Sequence, residues 1–105
     1  MAWFYLLVAG ILEIVWAYTM KQSLGFSRLI PSLITVSTMV ASFWLLALAM
    51  QTIPLGTAYA IWTGIGAVGA FLVGIVFLAE PVSALRLVAI TLIVSGLVLL
   101  KVSSD

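Results

Sequence analysis

Apolar residues form four long runs along the chain, separated by three short polar breaks. The runs cover approximately residues 2–20, 29–50, 57–79 and 84–101. A helix needs roughly 20 mostly apolar residues to cross the hydrocarbon core of a bilayer. The runs are continuously apolar rather than alternating, which disfavours the strands of a membrane barrel. The pattern therefore predicts an all-α membrane protein, with four transmembrane helices in a single domain spanning residues 1–105.

Composition agrees with that prediction and removes several classes of function. Hydrophobic residues make up 66% of the 105 residues and charged residues only 7%, whereas a soluble domain carries about 25% charged residues. The absence of Cys and His removes disulfides, most zinc or transition-metal sites, and Ser-His-Asp or Cys-His catalysis. The net charge of +1, with no basic stripe, gives no indication of nucleic acid binding. We expect no enzyme activity, no cofactor and no metal.

Positive charges are divided almost evenly between the two sides of the predicted bundle. One side would hold Lys21, Arg28 and Arg86, and the other Lys101 and the terminal amine. The difference in Lys and Arg near the spans sets orientation, so a small bias either fixes one topology or leaves both accessible. In the second case, oppositely oriented copies would pair as an antiparallel, dual-topology homodimer, the two-chain equivalent of an inverted-repeat transporter. Four helices are too few to enclose a path alone, so we expect an oligomer.

The first run carries a single acidic or basic side chain, Glu13. It lies ~16 Å along a helix from Ala2, near the middle of a membrane. A carboxylate at that depth costs on the order of 3 kcal/mol or more to insert, so such residues usually have a function. One interpretation is a structural hydrogen bond to a neighbouring helix. The interpretation favoured by the surrounding residues is a shared site for a proton and a cation in a transport path.

Small, aromatic and hydroxyl residues at helical spacing provide faces that could converge on Glu13. Gly10 leaves space one turn before the carboxyl group, and Trp16 can donate its indole N–H to it. On the second run, Ser42 is our choice as a second hydrogen-bond partner of the carboxylate. Backbone bonding by the hydroxyl and a place for Trp16 at the membrane interface are the alternatives.

The third run contributes an aromatic face with Tyr59, Trp62, Thr63 and Gly66. Ring faces attract a desolvated cation by about 2 kcal/mol, which suits a planar or quaternary cation beside a carboxylate. Ordinary packing of the aromatic side chains is the alternative.

Glycines in the third run match the letters of the dinucleotide fingerprint G-x-G-x-x-G at residues 64–69. We reject that match because the stretch lies inside an apolar span, without the strand that the motif requires. Glycines within a membrane helix allow close packing or a bend. We expect Gly64 and Gly66 to form a hinge.

The fourth run has no polar set facing inward. It carries instead a stripe of small and apolar residues that suits helix association. We expect this helix to form the dimer contact through Ala89, Leu92, Ile93 and Gly96.

Together these motifs resemble the small multidrug resistance family of proton-coupled exporters, over essentially the whole chain. The resemblance is carried by residues 9–13, 21–28, 31–32, 41–46 and, most specifically, by the stretch Ile53-Pro54-Leu55-Gly56-Thr57-Ala58-Tyr59-Ala60-Ile61-Trp62-Thr63-Gly64-Ile65-Gly66. It implies an antiparallel homodimer in the bacterial inner membrane, whose two central glutamates bind a proton or a cation in turn.

Within that family the chain looks most like the guanidinium-exporting subtype, because of Trp16 and Lys101. The resemblance implies that Glu13 binds substrate and proton, held by hydrogen bonds from Trp16 and Ser42. It also implies a cation pocket lined by Tyr59 and Trp62. The candidate additional walls are Met39, Phe43 and Thr63.

Three functions remain open from the sequence. The first is guanidinium export by proton-coupled antiport. The second is broad export of quaternary ammonium or aromatic cations through the same pocket. The third is a role as an accessory subunit in a heterodimeric exporter.

Overall fold

The computed structural model describes residues 1–104, which form four helices joined by short connections. The helices are α1 (Ala2–Gln22), α2 (Leu29–Ala49), α3 (Leu55–Leu78) and α4 (Ala84–Ser104). Within this described range there is no strand, and all four helices are long and apolar enough to cross a membrane. The predicted all-α architecture is therefore confirmed, with helix ends that differ from the predicted ones by at most three residues.

Helix α3 shows why the observed helix ends differ from the predicted ones. It begins two residues before the predicted start, because Pro54 is its N-cap and accepts the first helical hydrogen bond from Ala58 at 2.9 Å. At the other end, Ala79 adopts a left-handed conformation with φ of 53°. The amide of Glu80 then donates to the carbonyl of Gly74 at 3.0 Å, which satisfies one of the carbonyls left open at the helix end.

Helix α1 is the centre of the arrangement, since it packs along both α2 and α3, whereas α4 packs on α3. The buried core is small and lies where α1, α2 and α3 meet. Its members are Leu6, Ala9, Leu46, Ala49, Ile53, Ala58, Ile61 and Trp62. No part of the spanning window of α4 is buried by the described chain. Lipid or a second protein must therefore cover that helix.

A pair of hydroxyl groups joins α1 to α2 near one end of the bundle. The Oγ1 atoms of Thr19 and Thr35 are 2.7 Å apart, and Thr35 is fully buried. Thr35 also contacts the carbonyl of Pro31 at 2.8 Å, whereas Thr19 lies 3.3 Å from the carbonyl of Trp16. The shorter pair of bonds makes Thr35 the donor to Pro31 and Thr19 the donor between the helices. Polar contacts of this kind matter in lipid because hydrophobic burial does not drive membrane helices together.

We predict that Thr35→Val lowers the free energy of unfolding by about 0.6 kcal/mol, and by at most about 1.7 kcal/mol, the range measured for hydrogen bonds between membrane helices. The measurement is equilibrium unfolding in mixed micelles. Thr38→Val is the matched control, because the Thr38 hydroxyl bonds to carbonyls of its own helix. Equal losses in both variants would contradict the assignment.

Candidate functional site

The carboxyl group of Glu13 lies against the bare backbone of Gly66 on α3. A methyl group at position 66 would overlap the Glu13 carboxyl atoms. Glycines flank this contact on both sides: the space at Gly10 is filled by Ile65, and the space at Gly69 by Ile14. Small residues allow membrane helices to approach closely. The Glu13 carboxyl group thus lies within a close contact between α1 and α3.

Two buried polar atoms near this contact have no hydrogen-bond partner among the described residues. They are Oε1 of Glu13 and the indole Nε1 of Trp16. The expected Trp16–Glu13 hydrogen bond is thus absent from this conformation, and the Trp16 ring packs edge-on against Phe43, with centroids 6.3 Å apart. A buried polar group left unpaired costs about 1–3 kcal/mol. Both atoms are therefore positioned to gain from a ligand or a second protein chain.

Ser42 contacts the backbone of the helical turn that carries Glu13, not the carboxyl group. Its fully buried hydroxyl donates to the carbonyl of Ala9 at 2.7 Å and accepts from Nε1 of Trp62 at 3.0 Å. We expected Ser42 to donate to the Glu13 carboxylate. A hydroxyl has one proton, and Ser42 donates it to Ala9 instead. The Ala9 carbonyl is also the acceptor, four residues back, for the amide of Glu13. Ser42 therefore links Trp62 to the helical turn that carries the carboxylate.

Aromatic side chains from three helices form a continuous wall beside this network. Phe43 contacts Trp62 at a centroid distance of 5.7 Å and Tyr59 contacts Trp62 at 5.6 Å, while Trp16 completes the row through Phe43. Trp62 is only 6% exposed, but Tyr59 is 52% and Phe43 47% exposed. The wall therefore has a buried centre and an open face, and Phe43 belongs to it.

The other two candidate wall residues lie outside this row of rings. Thr63 lines a groove between α3 and α4, and its hydroxyl donates to the carbonyl of Tyr59 at 2.9 Å. Adjacent helical residues point about 100° apart, so in this single chain Thr63 faces away from the aromatic wall that Trp62 joins; its part in a pocket stays a prediction. Met39 is half-buried on α2, one turn before Phe43.

Both predicted hinge glycines occupy helix contacts. Gly64 packs against Leu97 of α4 and Gly66 against Glu13, while α3 continues as one helix through both positions. Close packing accounts for these glycines in this conformation, and the hinge stays a prediction.

The residues expected at the dimer contact lie on a helix that is open to the outside. Leu92, Ile93 and Gly96 line the groove between α3 and α4, and Ala89 is exposed. Their part in a dimer stays a prediction.

Comparison with known proteins decides the family. A family model described as "Small Multidrug Resistance protein" matches residues 1–93. The chain belongs to the small multidrug resistance family. Proteins named "Guanidinium exporter" match over 104 residues and 99% of each chain, at 57% identity in Salmonella typhimurium, 55% in Escherichia coli and 53% in Citrobacter freundii. The earlier resemblance is confirmed, and this small multidrug resistance protein is a multi-pass protein of the bacterial inner membrane.

Sequence reasoning missed two elements of the site in this small multidrug resistance protein. The first is the backbone carbonyl of Ala9, which accepts the hydrogen bond from Ser42; a pattern of side chains cannot identify a backbone acceptor. The second is the direct contact of Gly66 with the Glu13 carboxyl group: the pattern places Gly66 on the same face as Trp62 and predicts a hinge there, but it indicates no partner for this glycine.

We predict that Gly66→Ala weakens binding of a small organic cation by roughly 5- to 150-fold, the equivalent of about 1–3 kcal/mol for overpacking, because the added methyl displaces the Glu13 carboxyl group. Transport by protein reconstituted in proteoliposomes measures the change. Gly56→Ala on the same helix is the control, since nothing lies within 4 Å of its added methyl. Unchanged affinity in Gly66→Ala would show that the carboxylate does not act from this seat.

Proposed function

We propose that this protein exports guanidinium in exchange for protons, as an antiparallel homodimer in which two copies of Glu13 face each other. The observation that carries the proposal is the buried, unpartnered Glu13 oxygen beside an aromatic wall. The relatives named guanidinium exporters, which align along 99% of the chain, support guanidinium as the substrate.

Guanidinium supplies the hydrogen-bond donors that the unpaired Glu13 oxygen can accept from. The ion is planar, and its paired N–H donors match the two oxygens of a carboxylate. Its flat face can also lie on the ring of an exposed aromatic residue such as Tyr59, where cation–π attraction reaches about 2 kcal/mol once water is removed. One ion could therefore satisfy the Glu13 oxygen and be enclosed by the open side of the wall.

Exchange follows from competition for one carboxylate. A proton and a cation each neutralise Glu13, and they cannot occupy the same oxygens together. Moving an uncompensated carboxylate through a low-dielectric interior is costly, so the empty, charged form should change conformation poorly. Only the protonated or cation-bound forms then reorient, which couples the two fluxes.

The exposed apolar and aromatic surfaces of the chain support the proposed dimer. Helix α4 buries none of its spanning window within the described chain, and the aromatic wall is open on the side of Tyr59 and Phe43. The nearly even distribution of Lys and Arg between the two sides is compatible with insertion in both orientations. Two oppositely oriented copies would close the aromatic chamber around two Glu13 side chains.

Replacing the carboxylate tests the mechanism directly. In proteoliposomes of the purified protein, we expect a guanidinium gradient to drive proton movement, and Glu13→Gln to abolish it because the amide can neither release a proton nor pair with the cation. Asp105→Asn is the control, since it makes the same charge change at the end of the chain. Coupled transport that survived in Glu13→Gln would remove Glu13 from the mechanism.

Broad export of quaternary or aromatic cations is the second candidate, favoured by the open aromatic face of Tyr59 and Phe43. A quaternary ammonium has no N–H group to pair with Glu13, so we expect proton-coupled currents with guanidinium and its singly substituted derivatives, and at least tenfold smaller ones with tetraalkylammonium ions or bulky dyes. Comparable currents across this panel would favour the broad exporter. Currents that appear only after a related chain is added would identify an accessory subunit.

A further inference from the structure

A second cavity, separate from the aromatic wall, opens where α1 and α3 diverge. Beyond the contact of Ile14 with Gly69, the two helices leave a space of about 370 Å³, with Ile90 of α4 at its edge. Its walls are mostly apolar, but Lys21 and Glu80 both line it. We propose that this cavity binds a phospholipid with an ethanolamine headgroup.

Both charged residues belong to the same surface of the membrane. Lys21 lies in the last turn of α1, and Glu80 follows the end of α3. Successive spanning helices alternate in direction, so α1 and α3 end at the same side of the bilayer. The cavity thus has a cation and an anion at its polar end and apolar walls toward the bilayer interior, which is the layout of a phospholipid.

Backbone geometry holds the Glu80 side chain in the cavity. The left-handed Ala79 turns the chain back, and the amide of Glu80 donates to the carbonyl of Gly74 at 3.0 Å. The carboxyl group then lies in the space that a side chain at position 74 would fill. A carboxylate at a helix C-terminus is electrostatically unfavourable, whereas a cation there is favoured. The site therefore attracts a positive group to the Glu80 carboxylate.

The pair of charges selects the headgroup. Lys21 suits a phosphate, and the carboxylate of Glu80 suits an ammonium that has N–H donors. Phosphatidylethanolamine supplies both groups, whereas the choline headgroup has no N–H and phosphatidylglycerol has no cation. The acyl chains of a lipid lie in an apolar medium both in the bilayer and in the cavity. The preference for one lipid over another must therefore come from contacts with its headgroup.

Retention of lipid by the purified protein in detergent tests the proposal. Native mass spectrometry would compare phosphatidylethanolamine, phosphatidylcholine and phosphatidylglycerol with identical acyl chains. We expect ethanolamine lipid to be retained at least tenfold more than either of the others. Lys21→Gln and Glu80→Gln should each remove most of that preference, while Arg86→Gln, which changes a charge at the same membrane surface outside the cavity, should keep it.

The variant Gly74→Ala tests whether the position of the Glu80 carboxyl group matters when its charge is unchanged. The added methyl would displace the Glu80 carboxyl group from the cavity while both charges remain, so the ethanolamine preference should fall as it does in Glu80→Gln. Gly56→Ala is the matched control, because its added methyl meets open space. Circular dichroism of each variant verifies that the helices are retained. A photoactivatable ethanolamine lipid should also label peptides of α1 and α3 in the unmodified protein.

Several results would overturn the proposal. Equal retention of the ethanolamine and choline lipids would exclude selection by Glu80. Stronger retention of phosphatidylglycerol that depends on Lys21 alone would indicate a simple anion site. No retained lipid, with no labelling of α1 or α3, would show that the cavity does not bind this lipid. None of these outcomes depends on whether guanidinium is the transported ion.

Discussion

The contact between the Glu13 carboxyl group and Gly66 joins α1 and α3, the two helices on which α2 and α4 pack. A carboxyl group inside a membrane needs space that no side chain occupies, and a glycine on the facing helix provides it. The same contact brings α1 and α3 close together, with Gly10 and Gly69 accommodating isoleucines on either side. Because lipid tails are as apolar as the side chains, helices in a bilayer associate through such packing and through polar contacts rather than through the hydrophobic effect.

Sequence patterns predicted the spans and the central residue, because both depend on composition along one helix. Four apolar runs are sufficient to predict four membrane helices, and an isolated Glu13 is conspicuous in an apolar stretch. Hydrogen-bond partners depend instead on how helices face each other. Ser42 was placed on a suitable face, but its acceptor is the Ala9 backbone carbonyl, which no side-chain pattern can identify. A glycine that permits a bend and a glycine that leaves space for a carboxyl group look the same in a sequence, so the sequence predicts a hinge at Gly66 without indicating its contact with Glu13.

Several groups in the single chain are exposed or without a hydrogen-bond partner, and they all indicate a contact with a further molecule. Trp62 is buried and hydrogen-bonded, whereas the neighbouring Tyr59 is half-exposed on the open side of the wall. The unpaired atoms of Glu13 and Trp16 lie in the same region, and α4 buries none of its spanning window. Lipid alone could cover α4, but hydrocarbon cannot satisfy a carboxylate oxygen or an indole N–H. These unpaired polar atoms are therefore positioned to bind a ligand or another protein chain, while the apolar surface of α4 is compatible with either lipid or protein.

The proposed transport site and the proposed lipid site act on the same turn of α1. Glu13 faces Gly66, and the next residue, Ile14, packs on Gly69 and also lines the second cavity. A shift of α1 relative to α3 would change both contacts, because the two side chains are adjacent on one rigid helix. A lipid bound between α1 and the end of α3 would therefore change the space available to the Glu13 carboxyl group if it moved α1 relative to α3. Such coupling is reciprocal in free energy, so occupancy of Glu13 by a cation or a proton would in turn change the affinity for the lipid.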